Sequence, residues 1–142
     1  MTADDIFLVD DNPGNLSLLE GLLSAHGYKV RIANGGRLAL KMIHKHPPEL
    51  VLLDILMPDL DGYEVCRRLK DDPSTSSIPI IFLSALDEPL DKVKAFGVGA
   101  VDYVTKPFHA EEVLARVETQ LNLARLQRET EKKNAELRQA QE

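Results

Sequence analysis

Leu50-Val51-Leu52-Leu53-Asp54-Ile55-Leu56-Met57-Pro58 opens with four apolar residues and then reaches a carboxylate. Four apolar side chains in a row leave no polar face, which suits a strand covered on both sides, as in a parallel sheet flanked by helices. The Asp at the end of such a run stands at the carboxyl end of the strand, and Met57-Pro58 then turns the chain away. Three other runs end in the same manner. Ile6-Phe7-Leu8-Val9 leads into Asp10-Asp11, Ile80-Ile81-Phe82-Leu83 into Ser84, and Val101-Asp102-Tyr103-Val104 through Thr105 into Lys106. In a parallel sheet all carboxyl ends share one edge, and ligands bind beyond that edge. Asp10, Asp11, Asp54, Ser84 and Lys106 are therefore expected in one pocket.

Between these runs the periodicity becomes helical. Asn12 and Pro13 read as the cap and first position of a helix whose buried stripe is Leu16, Leu19, Leu22 and Leu23, closed by Gly27. The segment 28–33 alternates apolar and charged residues, as a half-buried strand near an edge does. Leu38, Leu40, Met42 and Ile43 mark a second helix, stopped by Pro47-Pro48. Asp61 followed by Glu64 reads as a capping box for a third helix, with Val65 and Leu69 facing inward. A fourth strand is expected over 78–83, a fourth helix from Glu88-Pro89 carrying Leu90, Val93 and Phe96, and a fifth strand over 100–104. The fifth helix starts near His109, with Phe108 and Val113 placed as a hydrophobic staple and Glu111 and Glu112 in its first turn. Five strands alternating with five helices predict an α/β fold of three layers, a doubly wound parallel sheet with right-handed crossovers.

From Leu121 onward there is no Gly or Pro, and charges of both signs are dense. The fifth helix is expected to run on past the domain, giving a domain at 1–121 and a helical, coiled-coil-like linker at 122–142. Leu114, Val117, Leu121 and Ala124 fit one heptad seam. Leu123, Leu126, Leu137 and Ala140 fit a second, with Thr130 and Lys133 at its weaker positions. A frayed, solvated helix is the competing reading.

The 142 residues suffice for one domain with a real core. A formal net charge of −6 argues against a nucleic-acid surface, which needs clustered Lys and Arg. No apolar run approaches the ~18 residues of a membrane span, and the acidic N-terminus is unlike a secretory signal; both point to the cytoplasm. The one cysteine, Cys66, falls in a helical pattern and reads as a small apolar residue. The four histidines, His26, His44, His46 and His109, all fall near expected helix ends.

The pocket's residue types define its chemistry. Paired carboxylates with a third alongside form a hard oxygen site of the kind Mg²⁺ prefers, and a cation relieves their mutual repulsion. Lys106 and Ser84 suit phosphoryl oxygens, and one carboxylate is placed to become an aspartyl phosphate.

The segments Phe7-Leu8-Val9-Asp10-Asp11, Leu52-Leu53-Asp54-Ile55-Leu56-Met57-Pro58, Asp61-Gly62-Tyr63-Glu64, Leu83-Ser84-Ala85 and Asp102-Tyr103-Val104-Thr105-Lys106-Pro107-Phe108 resemble the receiver domain of two-component response regulators. The resemblance spans roughly 5–121 and implies the flavodoxin-like strand order 2-1-3-4-5. It implies that Asp54 is the phosphoacceptor, taking its phosphoryl group from the phosphohistidine of a sensor histidine kinase or phosphotransfer protein. It implies Asp11, Asp54 and the main-chain carbonyl of Leu56 as Mg²⁺ ligands, with Asp10 acting through water. Ser84 and Lys106 would bind the phosphoryl oxygens, Tyr103 would be the aromatic switch that follows Ser84, and Lys106-Pro107 would be a cis peptide. The switched surface would be helix four, strand five and helix five. That face, or the C-terminal helix, would join two copies and pass the signal to an output domain.

Three other function classes compare less well. A pseudo-receiver, binding or dimerising without phosphate chemistry, usually lacks an acidic residue, the phosphoacceptor or the lysine, and here all are present. An aspartyl-phosphate phosphatase normally has a second acid two residues after its nucleophile, where this chain has Leu56. A nucleotide-binding P-loop would need G-x-x-x-x-G-K-[ST], which is absent. The chain is thus expected to be a signalling switch that promotes its own phosphorylation and is not a turnover enzyme. Leu56, and Leu86 two residues after Ser84, offer no polar group to align a water, which predicts slow self-dephosphorylation.

Overall fold

Strand and helix alternate five times along the chain: β1 (Asp5–Val9), α1 (Pro13–Ala25), β2 (Lys29–Ala33), α2 (Gly36–Lys45), β3 (Leu50–Asp54), α3 (Gly62–Asp71), β4 (Ile80–Ser84), α4 (Lys92–Gly97), β5 (Asp102–Thr105) and α5 (Ala110–Gln141). The structure, a computed structural model, describes residues 4–85 and 91–141. The sheet is parallel throughout, in the expected order β2-β1-β3-β4-β5. The order reverses between β1 and β3, so the residues just past Val9 and Leu53, which are register partners, flank the switch point where this architecture binds ligands.

Alternation of side chains across the sheet builds two cores. On one face Ile6, Leu8, Leu52, Leu83 and Val104 pack against Leu16, Leu19 and Leu23 of α1 and Val113, Val117 and Leu121 of α5. On the other, Phe7, Val9, Val51, Leu53 and Phe82 pack against α2, α3 and Ala95 of α4. β3 is buried at every position, as its unbroken apolar run requires.

Local signals explain most helix ends. The Asn12 side chain accepts a hydrogen bond from the Asn15 amide at 3.1 Å, and Pro13 occupies the first helical turn. Gly27, at φ +88°, closes α1 in a Schellman motif: the Gly27 amide donates to the Ser24 carbonyl at 3.0 Å and the Tyr28 amide to that of Leu23 at 3.2 Å. Tyr28 thereby spends its donor on the helix, and the strand starts one residue later than the alternation suggests. β4 starts at Ile80 rather than Ile78 because Pro79 has no amide to donate to the ladder. β5 begins at Asp102, not at position 100.

Several expected details differ. The capping box of α3 is half formed: the Asp61 carboxylate accepts from the Glu64 amide at 2.9 Å, whereas the Glu64 carboxylate turns forward to Arg67 and Arg68. Two cations downstream outcompete one amide upstream for an ionised acceptor. Leu38 is exposed on α2, whose inner face is Ala39, Leu40 and Ile43. On α4, Val93 and Phe96 are exposed and only Ala95 is buried. The expected start of that helix at Glu88-Pro89, with Leu90, lies outside the described residues; in the described part Asp91 caps it, accepting from the Lys94 amide at 3.0 Å. Leu86 also lies outside them.

α5 runs unbroken for 32 residues. The first seam, Val117 and Leu121 with Leu114, packs on the domain's own core rather than on a partner helix. Leu123, Leu126 and Leu137, from the second seam, are exposed. Among the described residues no helix is long and apolar enough to cross a membrane.

Candidate functional site

Asp10 and Asp54 leave the carboxyl ends of adjacent strands, and the Asp11 carboxylate joins them. One oxygen from each of the three lies within 4.8 Å of the others. Asp11 is exposed at the mouth, but Asp10 is fully buried and Asp54 only 5% exposed. Lys106, just past β5, brings its ammonium to 3.3 Å from Asp10 Oδ2 and 3.3 Å from Asp54 Oδ1. Ser84, at the end of β4, is buried and lines the same cleft of about 580 Å³ as Asp11, Asp54 and Lys106. The Lys106 amide donates to the Ser84 carbonyl at 2.7 Å, which ties the two loops together. The Lys106-Pro107 peptide is cis.

The structure thus brings Asp10, Asp11, Asp54, Ser84 and Lys106 together at one edge. The exposed side chain of Leu56 lines the cleft and makes its rim apolar on that side. Tyr103 is half-buried against the α3–α4 core, in register with Phe82, and is not among the residues lining the cleft.

The electrostatics follow from burial. Loss of hydration pushes the Asp54 carboxyl up to about 7; the neighbouring Asp10 charge adds to this and Lys106 opposes it. Asp10 Oδ1 accepts a hydrogen bond from the Asn12 amide at 2.9 Å. Asp10 Oδ2 is buried with no hydrogen bond, since Lys106 stands near it without donor geometry. A buried, unbonded carboxylate oxygen beside two further carboxylates is the donor set that a hard divalent cation satisfies. The residues present fit Mg²⁺.

Three supporting residues were not singled out by the sequence for the parts they take. Gly62 packs on the strand that carries the central acid: a Cβ there would lie 2.3 Å from the Asp54 carbonyl oxygen, and the Gly62 amide donates to Ile55 at 2.7 Å. Asp59, in the loop after β3, caps α2 from a distance, accepting from the Gly36 and Arg37 amides at 3.2 and 3.0 Å. Those amide contacts hold its carboxyl below the usual carboxylate range. Tyr63 forms part of the cleft wall, its ring edge-on to Phe82 at 5.3 Å between centroids. Gly62 and Tyr63 fall in the Asp61-Gly62-Tyr63-Glu64 segment that carries the family resemblance, whereas nothing in the sequence marked Asp59.

Comparison with known proteins agrees with this architecture. The sequence model of the response regulator receiver domain matches residues 6–118. Response regulator PleD of Caulobacter vibrioides is 44% identical over 112 residues, 79% of this chain but 25% of that protein, so the chain spans about a quarter of this relative's length. A response regulator structure from Chloroflexus aurantiacus superposes with a TM-score of 0.82 at 36% identity, covering 85% of this chain and 99% of that one. The receiver domain of a sensor histidine kinase from Pseudomonas aeruginosa, with a magnesium ion coordinated in its active-site cleft, superposes with a TM-score of 0.79 at 29% identity, covering 85% and 99%. The chain belongs to the response regulator receiver domain family of two-component signalling.

Proposed function

We propose that Asp54 is the phosphoacceptor of a signalling switch, phosphorylated in a Mg²⁺-dependent reaction by the phosphohistidine of a sensor histidine kinase or phosphotransfer protein. An Asp54 carboxylate oxygen attacks phosphorus; the new P–O bond forms as the P–N bond breaks, and the imidazole leaves with the electron pair. The observation that carries this reading is the buried Asp54 carboxylate facing the ammonium of Lys106 with Asp10 and Asp11 beside it.

Asp10, Asp11 and Asp54, with the main-chain carbonyl of Leu56, would hold the magnesium ion. When bound, the ion offsets the carboxylates' repulsion and the charge of the incoming phosphoryl oxygens. Lys106 neutralises a further oxygen and the Ser84 hydroxyl donates to another, so the chain's own contribution is alignment and charge neutralisation. The family's motif assigns Tyr103 to the switch that follows Ser84, and the α4–β5–α5 face to the surface that changes.

Residues 1–121 act as the receiver and 122–142 as a helical linker to an output domain. The exposed leucines 123, 126 and 137 on an unbroken helix support this, as does the small fraction of PleD that the chain spans. The same leucines, or the α4–β5–α5 face, would join two copies. The acidic balance supports a protein partner for this chain rather than nucleic acid, and the reading places it in the cytoplasm.

Incubation with acetyl phosphate and Mg²⁺ tests the reading. One phosphoryl group should be added in the presence of magnesium, lost on chelation and absent from Asp54→Ala. Labelling that persists in a folded Asp54→Ala variant, or none in the wild type, overturns it.

A further inference from the structure

Besides the packing of Ala95 in the core, two lysine–tyrosine contacts join α4 to the rest of the domain. The Lys94 ammonium stands 4.4 Å from the ring centroid of Tyr63, and the Lys92 ammonium 5.4 Å from that of Tyr103. Both distances fall within the ~6 Å range in which a cation is attracted to an aromatic face. Of the six residues of α4 only Ala95 is buried, and Lys92, Val93 and Lys94 face solvent.

The two tyrosines differ in position. Tyr63 belongs to the cleft wall, and Tyr103 stands outside it, half-buried against the core beneath α4. The Tyr103 backbone is fixed. It pairs with Phe82 in the sheet, and its amide donates to Asp102 Oδ1 at 2.8 Å. Asp102 in turn is gripped by Arg116 of α5 through two 2.8 Å contacts. With the main chain pinned from both sides, the remaining freedom of Tyr103 is rotation of its side chain. On the switch reading, a ring that turns toward Ser84 gives up its 5.4 Å contact with the Lys92 ammonium.

We propose that Lys92 is a positioning residue that restrains Tyr103 on the α4 side and so opposes the phosphorylated conformation. The inference rests on the phosphoacceptor reading above. It adds a residue of the chain's own α4 that sets the resting bias of the switch. The effect has a distinctive sign. A cation near an anion-binding cleft ordinarily favours the anion, so deleting it should weaken binding. A restraint on Tyr103 predicts the reverse: deletion frees the ring and strengthens binding.

The test is titration of the chain with beryllofluoride, a phosphoryl mimic, at saturating Mg²⁺, followed by NMR amide shifts. Lys92→Gln should bind two- to five-fold more tightly than wild type, the range expected for an exposed cation–aromatic contact. Lys92→Arg, which keeps a cation over the ring, should show no gain in affinity over wild type. In a Tyr103→Leu background, adding Lys92→Gln should change nothing. Affinity that is unchanged or weaker in Lys92→Gln overturns the proposal, and so does an equal gain in the Tyr103→Leu background. Either result leaves the phosphoacceptor reading intact provided wild type binds. Failure of wild type to bind the mimic removes both.

Discussion

Lys106 Nζ lies 3.3 Å from Asp54 Oδ1, although 52 positions separate them in the chain. The contact exists because β3 and β5 end at the same edge of the sheet with β4 between them. It is a long contact for an ion pair, and the ammonium divides itself between Asp54 and Asp10. Such a cation is placed to meet an incoming anion more than to stabilise the resting acid. Lys106→Met should therefore leave Mg²⁺ binding within a few-fold of wild type while slowing phosphorylation by acetyl phosphate about 100-fold, the loss typical of removing one transition-state donor. Rates of phosphate incorporation alongside a magnesium titration check both halves.

Burial of Asp54 carries a stability consequence. Its folded pKa, raised to about 7 from 3.8, means that the folded state holds the proton more tightly than the unfolded chain. Stability from this group is full below about pH 4 and is lost as pH rises toward 7. In magnesium-free buffer the wild type should thus lose ground to Asp54→Asn between pH 5 and 8, by on the order of 2–4 kcal/mol at the upper end. Magnesium should restore the difference at pH 8 and do less at pH 5, where protons compete for the same oxygens. Thermal unfolding across this range, with and without Mg²⁺, measures it. A wild type that tracks Asp54→Asn at every pH would show that the carboxylate is not confined as the structure has it.

What the sequence reveals and what it hides divide along physical lines. The strands were legible because burial on both faces leaves an unbroken apolar run, as at Leu50-Val51-Leu52-Leu53, and the polar residue that ends each run marks the shared edge. Strand order was not in the patterning; it came with the motif resemblance. Caps supplied by neighbours, such as Asn12 and Asp61, could be read from spacing. Asp59 could not, because it caps a helix whose first turn precedes it by more than twenty residues. α4 misled for another reason: a six-residue helix anchored by Ala95 has no need to bury Val93 and Phe96. Their exposure leaves apolar groups on the face assigned to switching, where periodicity alone predicts core.

Gly62 is held by contact rather than by conformation. A methyl group there would press on the backbone of Asp54 and Ile55, at 2.3 and 2.9 Å, and neither strand nor helix can yield without moving the acid. Gly62→Ala should lower stability by about 1–3 kcal/mol, the usual cost of forced overpacking. The folded fraction should also phosphorylate more slowly, because the displaced atoms carry Asp54, the proposed acceptor. Gly21→Ala is the control: a Cβ at Gly21 meets nothing within 4 Å. That change should be neutral or slightly stabilising, since Ala favours a helix by about 1 kcal/mol over Gly. Denaturant unfolding of the two variants separates a contact at Gly62 from a general intolerance of alanine.

If Asp54 is phosphorylated as proposed, Leu56 is placed to set how long the mark lasts. Its side chain is 53% exposed at the rim of the cleft, two residues beyond Asp54. Hydrolysis of an aspartyl phosphate needs a water in line with the scissile P–O bond, and an aliphatic side chain neither orients that water nor accepts its proton. Because the position is half solvated, a polar replacement need not bury an unsatisfied group, and Leu56→Asn should fold as well as wild type. An asparagine amide there can hold the attacking water, so the phosphorylated variant should lose phosphate several-fold to ten-fold faster, with little change in its rate of phosphorylation. Leu56→Met, similar in bulk and still apolar, should decay like wild type. Following the phosphorylated species after the donor is removed decides the matter. Equal lifetimes for Leu56→Asn and Leu56→Met would mean that the rim does not control access of water, and that the persistence of the mark is fixed deeper in the cleft, at Ser84 and Lys106.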